Sequence, residues 1–246
     1  MVALTLHDVT LGYDGHPAVH HLNGTFASGS LTAIAGPNGS GKSTLMKGLA
    51  GILSPLGGAI IREGCEAKDI AYLPQAHDID RSFPATVGDL VQSGLWHRRG
   101  NFAKLTAADR HDVHHALEAV GLRGFETRDI GTLSGGQFQR ALFARTLLQD
   151  AKLILLDEPF TAIDGKTTDD LLKIIAHWHT EKRTVLAVLH DFELIKTQFP
   201  DTLLLAREPV AWGRTQEAIK PVNLLKARTM TEAWDEQAED CERDVA

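Results

Sequence analysis

The stretch GPNGSGKST, Gly36–Thr44, crowds glycines, a lysine and hydroxyl side chains into nine positions and fits GxxxxGK[ST] through Gly36, Gly41, Lys42 and Ser43. Glycines reach backbone conformations that turn successive N–H groups inward, and a helix N-terminus behind them adds partial positive charge, so such a loop is a cradle for phosphate. Pro37, Asn38, Gly39, Ser40 and Thr44 complete it. Lys42 is spaced to reach the β- and γ-phosphates of a nucleotide and Ser43 to ligate Mg²⁺. Hydrolysis needs a second metal-positioning group, and LILLDEP supplies one at the end of an apolar run. Asp157 suits Mg²⁺ held through water, and Glu158 beside it suits polarisation of an attacking water.

These groups need elements to hold them. SLTAIAG reads as a short strand entering the glycine loop, and KSTLMKGLAGI as the helix leaving it, with Leu45, Leu49 and Ile52 at helical spacing. VALTLHDVTLGY alternates in the manner of a strand with one buried face. AKLILLDEP and TVLAVLH are apolar on both faces and flank the helical GKTTDDLLKIIAHWH, which predicts parallel strands covered on both sides. Between residues 76 and 134 the apolar runs shorten. There TAADRHDVHHALEAVGL predicts a helix capped by Thr106 with Asp109, closed by Gly121, and striped by Val113, Ala116, Leu117 and Val120. The expected organisation is an α/β core over 1–75 and 135–214, an inserted helical subdomain over 76–134, and a helical tail over 215–246 with a frayed acidic end.

Composition narrows the function classes. The 246 residues, 43% hydrophobic, suffice for one large domain. A net charge of −7 argues against broad nucleic-acid binding. Cys65 and Cys241 form no CxxC pair, which disfavours a disulfide scaffold or a cysteine zinc site. No apolar run approaches the roughly 18 residues needed to span a bilayer, so membrane work would require another subunit.

LSGGQFQRALFARTLL, residues 133 to 148, resembles the signature of ABC ATPases. With the glycine loop, the acidic pair and a histidine after the next strand, it extends that resemblance from about residue 3 to about 215. The resemblance implies the P-loop α/β core of that family with an antiparallel β portion, and ATP with Mg²⁺ as its ligands. It also implies a head-to-tail homodimer, in which ATP lies between one copy's Gly36–Thr44 loop and the other copy's Ser134, Gly135, Gly136 and Gln137. Position by position, Tyr13 matches the aromatic that stacks on adenine, Gln75 the glutamine that senses Mg²⁺ and water, and His190 the histidine that contacts the γ-phosphate. Asp164 in FTAID matches the aspartate of the loop crossing the dimer interface, where the family often has Ser-Ala-Leu-Asp, so Thr161 and Ile163 depart mildly.

The segment RSFPATVGDLVQSGLWHRRG matches the family's groove for a permease's cytoplasmic helix, with Phe83, Val87, Leu90, Val91, Leu95 and Trp96 as its apolar set. Its wording, with DEPFTAID and LLLAREPVAWGRTQEAI, is similar to that of zinc and manganese importer ATPases, zinc placed first. That resemblance implies a peripheral protein on the cytoplasmic face of the inner membrane, an integral permease, an extracytoplasmic substrate-binding protein and no nucleic acid. Importers of iron-siderophore, haem or cobalamin, and soluble iron–sulfur assembly ATPases, share much of the style. His111 and His115 sit one turn apart with Glu118 nearby, yet a solvated helix face is the better reading of that pair.

Overall fold

The structure is a computed structural model that describes residues 2–99 and 105–232. Its strands in chain order are β1 (Ala3–Tyr13), β2 (His16–Phe26), β3 (Leu31–Ala35), β4 (Gly57–Glu63), β5 (Ile70–Leu73), β6 (Leu153–Asp157), β7 (Thr184–Val188), β8 (Asp201–Ala206) and β9 (Glu208–Arg214). The helices are α1 (Lys42–Leu49), α2 (Val87–Gln92), α3 (Trp96–Arg99), α4 (Ala107–Ala119), α5 (Gly135–Leu148), α6 (Gly165–Thr180), α7 (Phe192–Gln198), α8 (Thr215–Ala218) and α9 (Pro221–Glu232). One sheet has the order β5-β6-β7-β3-β8-β9, parallel except for β9, and the other is antiparallel with the order β2-β1-β4.

The apolar runs of the central strands are continuous because both faces of the sheet are covered. Side chains alternate across a strand, so Ala33, Ile154, Leu156, Val185 and Leu204 enter a core shared with α4, α5 and α6. Their neighbours Ile34, Leu153, Leu155, Leu186 and Leu203 enter a second core with Leu45, Met46 and Leu49 of α1 and the buried face of β1. Phe143 of α5 and Trp178 of α6 stack at 5.5 Å within the first core.

The α/β core, its antiparallel portion and the helices between residues 76 and 134 are all present. In α4 the Thr106 hydroxyl accepts from Asp109 N at 3.2 Å while Asp109 Oδ2 accepts from Thr106 N at 2.8 Å, and Gly121 follows the helix at φ 70°. Its stripe of Val113, Ala116, Leu117 and Val120 is buried. One expectation fails: α1 ends at Leu49, Gly51 turns at φ 78°, and Ile52 is 64% exposed instead of continuing the buried stripe. The tail begins with α8 and α9 after β9, and Leu224, Ala227 and Met230 seat α9 on the first core. The acidic end from 233 onward, with Cys241, lies outside the described residues.

Thr184 ties three segments together. Its buried hydroxyl donates to Val2 O at 2.6 Å and accepts from Gly29 N at 3.0 Å, joining β7 to the start of β1 and to the turn before β3. Thr184→Val keeps the volume and removes both bonds. It is expected to destabilise the isolated chain by about 1 to 2 kcal/mol, read as a lower urea midpoint with an unchanged slope.

Candidate functional site

The glycine loop is clamped by the strands beside it. At Gly36, φ is 154° and an added Cβ would lie 1.9 Å from Leu205 O of β8; at Gly41, φ is 87° and a Cβ would lie 2.5 Å from Ala18 O of β2. Both positions therefore require glycine on conformational and steric grounds. The loop's concave side holds Lys42, only 6% exposed, whose Nζ donates to Pro37 O at 2.7 Å, Gly36 O at 3.0 Å and Ser40 Oγ at 3.4 Å. Burial lowers its pKa, with Glu158 and Asp157 opposing the shift.

β6 delivers a fully buried carboxylate, Asp157, to the edge of this loop. Its Oδ1 accepts from Ser43 Oγ at 3.2 Å and Gln75 Nε2 at 3.3 Å, and its Oδ2 from Tyr72 hydroxyl at 3.4 Å. Desolvation raises the Asp157 pKa and these hydrogen bonds pull it back. Tyr72 is pushed far up, first by burial and then by the Asp157 charge.

Glu158 follows at φ 51°, a left-handed conformation that side-chain-bearing residues seldom adopt and that concentrates at functional sites. Its Oε1 lies 2.8 Å from Gln75 Nε2 and 2.9 Å from His190 Nε2, which puts the imidazole proton on Nε2 if it donates. Thr161 Oγ1 donates to Oε2 at 3.2 Å, and Gln139 Nε2 of α5 supports the Glu158 backbone carbonyl at 3.2 Å. One carboxylate oxygen thus faces an amide and an imidazole, an arrangement able to hold and polarise a water.

Gln75 Nε2 sits 3.0 Å from Ser43 Oγ as well, so one neutral amide N–H group lies between the Ser43 and Asp157 oxygens. Hard oxygen donors converging on one point suit Mg²⁺.

The signature opens α5. Ser134 Oγ accepts from Gln137 N at 3.3 Å and Gln137 Oε1 accepts from Ser134 N at 3.0 Å, a reciprocal cap on an exposed helix start. Gly136 is pressed against Ala162, whose O would be 2.4 Å from an added Cβ. Gly135 shares a cavity of about 480 Å³ with Gln75, Glu158, Thr161 and Ala162. Asp164 caps α6, accepting from Thr167 N at 3.0 Å, while Tyr13 ends β1 48% exposed.

His111 Nε2 and His115 Nε2 are 2.9 Å apart on α4, but among the described residues no group of three or more metal-ligating side chains forms.

The sequence profile of the ABC transporter family matches residues 19–161, more than half of the chain. The chain belongs to the ABC transporter ATPase family. It is 39% identical over 213 residues to the manganese transport system ATP-binding protein MntA of Synechocystis sp., covering 84% of this chain and 82% of that one. The manganese transport system ATP-binding protein MntB of Listeria monocytogenes is 35% identical, with 87% and 91% covered. A solved structure assigned to an inward-facing, metal-chelate type ABC transporter superposes with a TM-score of 0.79 at 29% identity, covering 93% of this chain and 90% of its own.

In this ABC ATPase the glycine loop, Asp157, Glu158, Gln75 and His190 come together around one point, and the signature residues approach them from α5. Among the described residues, neither Tyr13 nor Asp164 hydrogen-bonds to that cluster, Asp164 being turned to Thr167. Tyr72 and Thr161 touch the carboxylates and Gln139 the backbone carbonyl of Glu158, roles that the sequence motifs do not assign. Only Tyr72 carries a sequence hint, since it alternates with the buried Ala71 and Leu73 on a strand leading to Gln75.

Gly36→Ala is expected to weaken ATP binding by at least about a hundredfold, because the carbonyl of Leu205 cannot recede without breaking β8 pairing. Isothermal titration with ATP and a circular dichroism spectrum of the folded chain measure this directly.

Proposed function

We propose that this ABC ATPase closes as a head-to-tail homodimer around ATP and drives a separate membrane permease that imports a divalent metal ion, manganese ahead of zinc. The observation carrying the hydrolytic part is the Glu158 carboxylate held between Gln75 Nε2 and His190 Nε2. In this reading Glu158 accepts a hydrogen bond and then the proton of the attacking water as general base while ADP leaves from the γ-phosphoryl group, His190 holds the water and the γ-phosphate, and Gln75 reports their presence. Lys42 leaves its carbonyls for the β- and γ-phosphates, and the N–H groups of 36–44 wrap them. Ser43, Gln75 and Asp157, the last through water, would hold Mg²⁺, which neutralises charge on the phosphate oxygens.

Each chain carries one loop and one signature, and the signature's helix start is exposed. That supports a second copy supplying Ser134, Gly135, Gly136 and Gln137 to the bound ATP, with Tyr13 stacked on adenine and Asp164 near the seam. The helical insert over 76–134 is the part that meets the permease. Its apolar set divides usefully: Val87, Val91 and Leu95 are buried, whereas Phe83 and Trp96 are 66% and 50% exposed, as docking of a permease helix needs. Among the described residues no helix is long and apolar enough to cross a membrane, which is compatible with a peripheral place on the cytoplasmic face and a substrate-binding protein acting outside. The acidic balance speaks against nucleic acid.

The manganese-named relatives at 35 to 39% identity support placing manganese before zinc, where the sequence, similar in its RSFPATV wording to both zinc and manganese importers, puts zinc first. A second reading, import of a chelated metal such as a siderophore, haem or cobalamin, draws on the 29% identical structure of the metal-chelate type. No comparable observation favours the iron–sulfur assembly reading.

Glu158→Gln is expected to lower ATP turnover by about a hundredfold or more while leaving ATP affinity within about threefold. An unchanged turnover would remove Glu158 from the chemistry. A strain lacking this chain, grown in chelator with metals returned singly, should recover with manganese and with the wild-type copy but not with Glu158→Gln. Recovery with zinc or only with an iron chelate would change the cargo, and no recovery with any metal would overturn metal import.

A further inference from the structure

Residues 81–88 run antiparallel against residues 126–133 and are stitched to them. Gly88 N donates to Glu126 O at 2.8 Å, Val87 N to Arg128 O at 2.8 Å, and Ile130 N to Ala85 O at 3.0 Å, with an isolated bridge between Thr86 and Asp129. The stitch ends at Arg81. Its Nη2 donates to Ile130 O at 3.3 Å and, more closely, to Leu133 O, and its guanidinium carbon lies 4.8 Å from the centre of the Phe138 ring. Leu133 and Phe138 bracket the signature, one immediately before Ser134 and the other one turn into α5.

The contact falls on a particular peptide. The carbonyl of Leu133 accepts from Arg81, while the N–H on the same peptide plane, that of Ser134, donates to Gln137 Oε1 at 3.0 Å. Held at both ends, this plane cannot rotate, and its rotation would re-aim the Ser134 hydroxyl and the first free N–H groups of α5. A guanidinium suits the task because one nitrogen, Nη2, donates to both carbonyls while its planar face lies on an aromatic ring. Arg81 stands six residues after Gln75 and two before the exposed Phe83, so it joins the segment facing the permease to the signature without passing through the catalytic carboxylates.

We propose that Arg81 is a positioning residue for the signature: it fixes the Leu133–Ser134 peptide so that a neighbouring copy's ATP meets a preset anion cradle. This rests on the ATP-closed dimer proposed above. The test uses the full chain carrying Glu158→Gln, with ATP as the probe, and reads two quantities. One is the ATP concentration for half-maximal dimer by size exclusion with light scattering. The other is ATP affinity of protein too dilute to dimerise, which depends on the chain's own glycine loop.

Adding Arg81→Gln is expected to raise the first by about tenfold or more and to leave the second within about twofold, with Arg81→Lys intermediate because it keeps the charge and loses the planar face on Phe138. Dimerisation of Arg81→Gln at the parental ATP concentration overturns the inference. So does a parallel loss of monomer affinity in both variants, which would mark Arg81 as general scaffolding. If Arg81→Gln does not fold, Arg81→Lys decides between the same outcomes. Failure of the Glu158→Gln parent to dimerise in ATP would instead overturn the dimer reading and this inference with it.

Discussion

A carboxylate with no exposure to water, Asp157, ends β6 and is met by three neutral donors, from Ser43, Tyr72 and Gln75. Burying an ionised group is expensive unless its lone pairs are filled, so the surrounding residues answer first to that charge. Ser43 is brought by the loop and α1, Tyr72 by β5 and Gln75 by the turn after it. The arrangement of the glycine loop, the acidic pair and the segment leading to the helical insert is thus a single electrostatic problem with one solution.

The sheet makes this solution reachable. β6, β7 and β3 are adjacent, and their registers align Asp157 with Val188 and Ile34 with Val188, so Gly36, Glu158 and His190 all leave neighbouring strands at the same level. Open parallel sheets gather their chemistry beyond the carboxyl ends of their strands for this reason. Positions more than 120 residues apart in sequence become neighbours through strand order, with the two cores on either face holding the strands in place.

What the sequence made legible follows from the range of the interactions. The glycine loop, the acidic pair and the Thr106 cap are local patterns in which a few consecutive residues dictate one geometry, and they lie before α1, at the end of β6 and at the start of α4, whereas His190 is legible only through the family resemblance. β2, β4 and β9 went unread because His16–Phe26, Gly57–Glu63 and Glu208–Arg214 carry little alternation of their own and exist through pairing. Ile52 misled because helical spacing says nothing of where a helix stops, which Gly51 decides. Gln139 and Arg81 were invisible because each acts across elements on a backbone carbonyl, and carbonyls leave no trace in a sequence.

Lys42 shows what this means for the glycine loop. Its ammonium is bonded to the carbonyls of Gly36 and Pro37 and to the Ser40 hydroxyl, so the loop's own side chain lies along its concave side. Binding is therefore an exchange of one set of partners for another, and the measured affinity is the difference between the two. A ligand that recruits this ammonium must offer more than those neutral oxygens do, which favours anionic oxygen over an uncharged group of the same size.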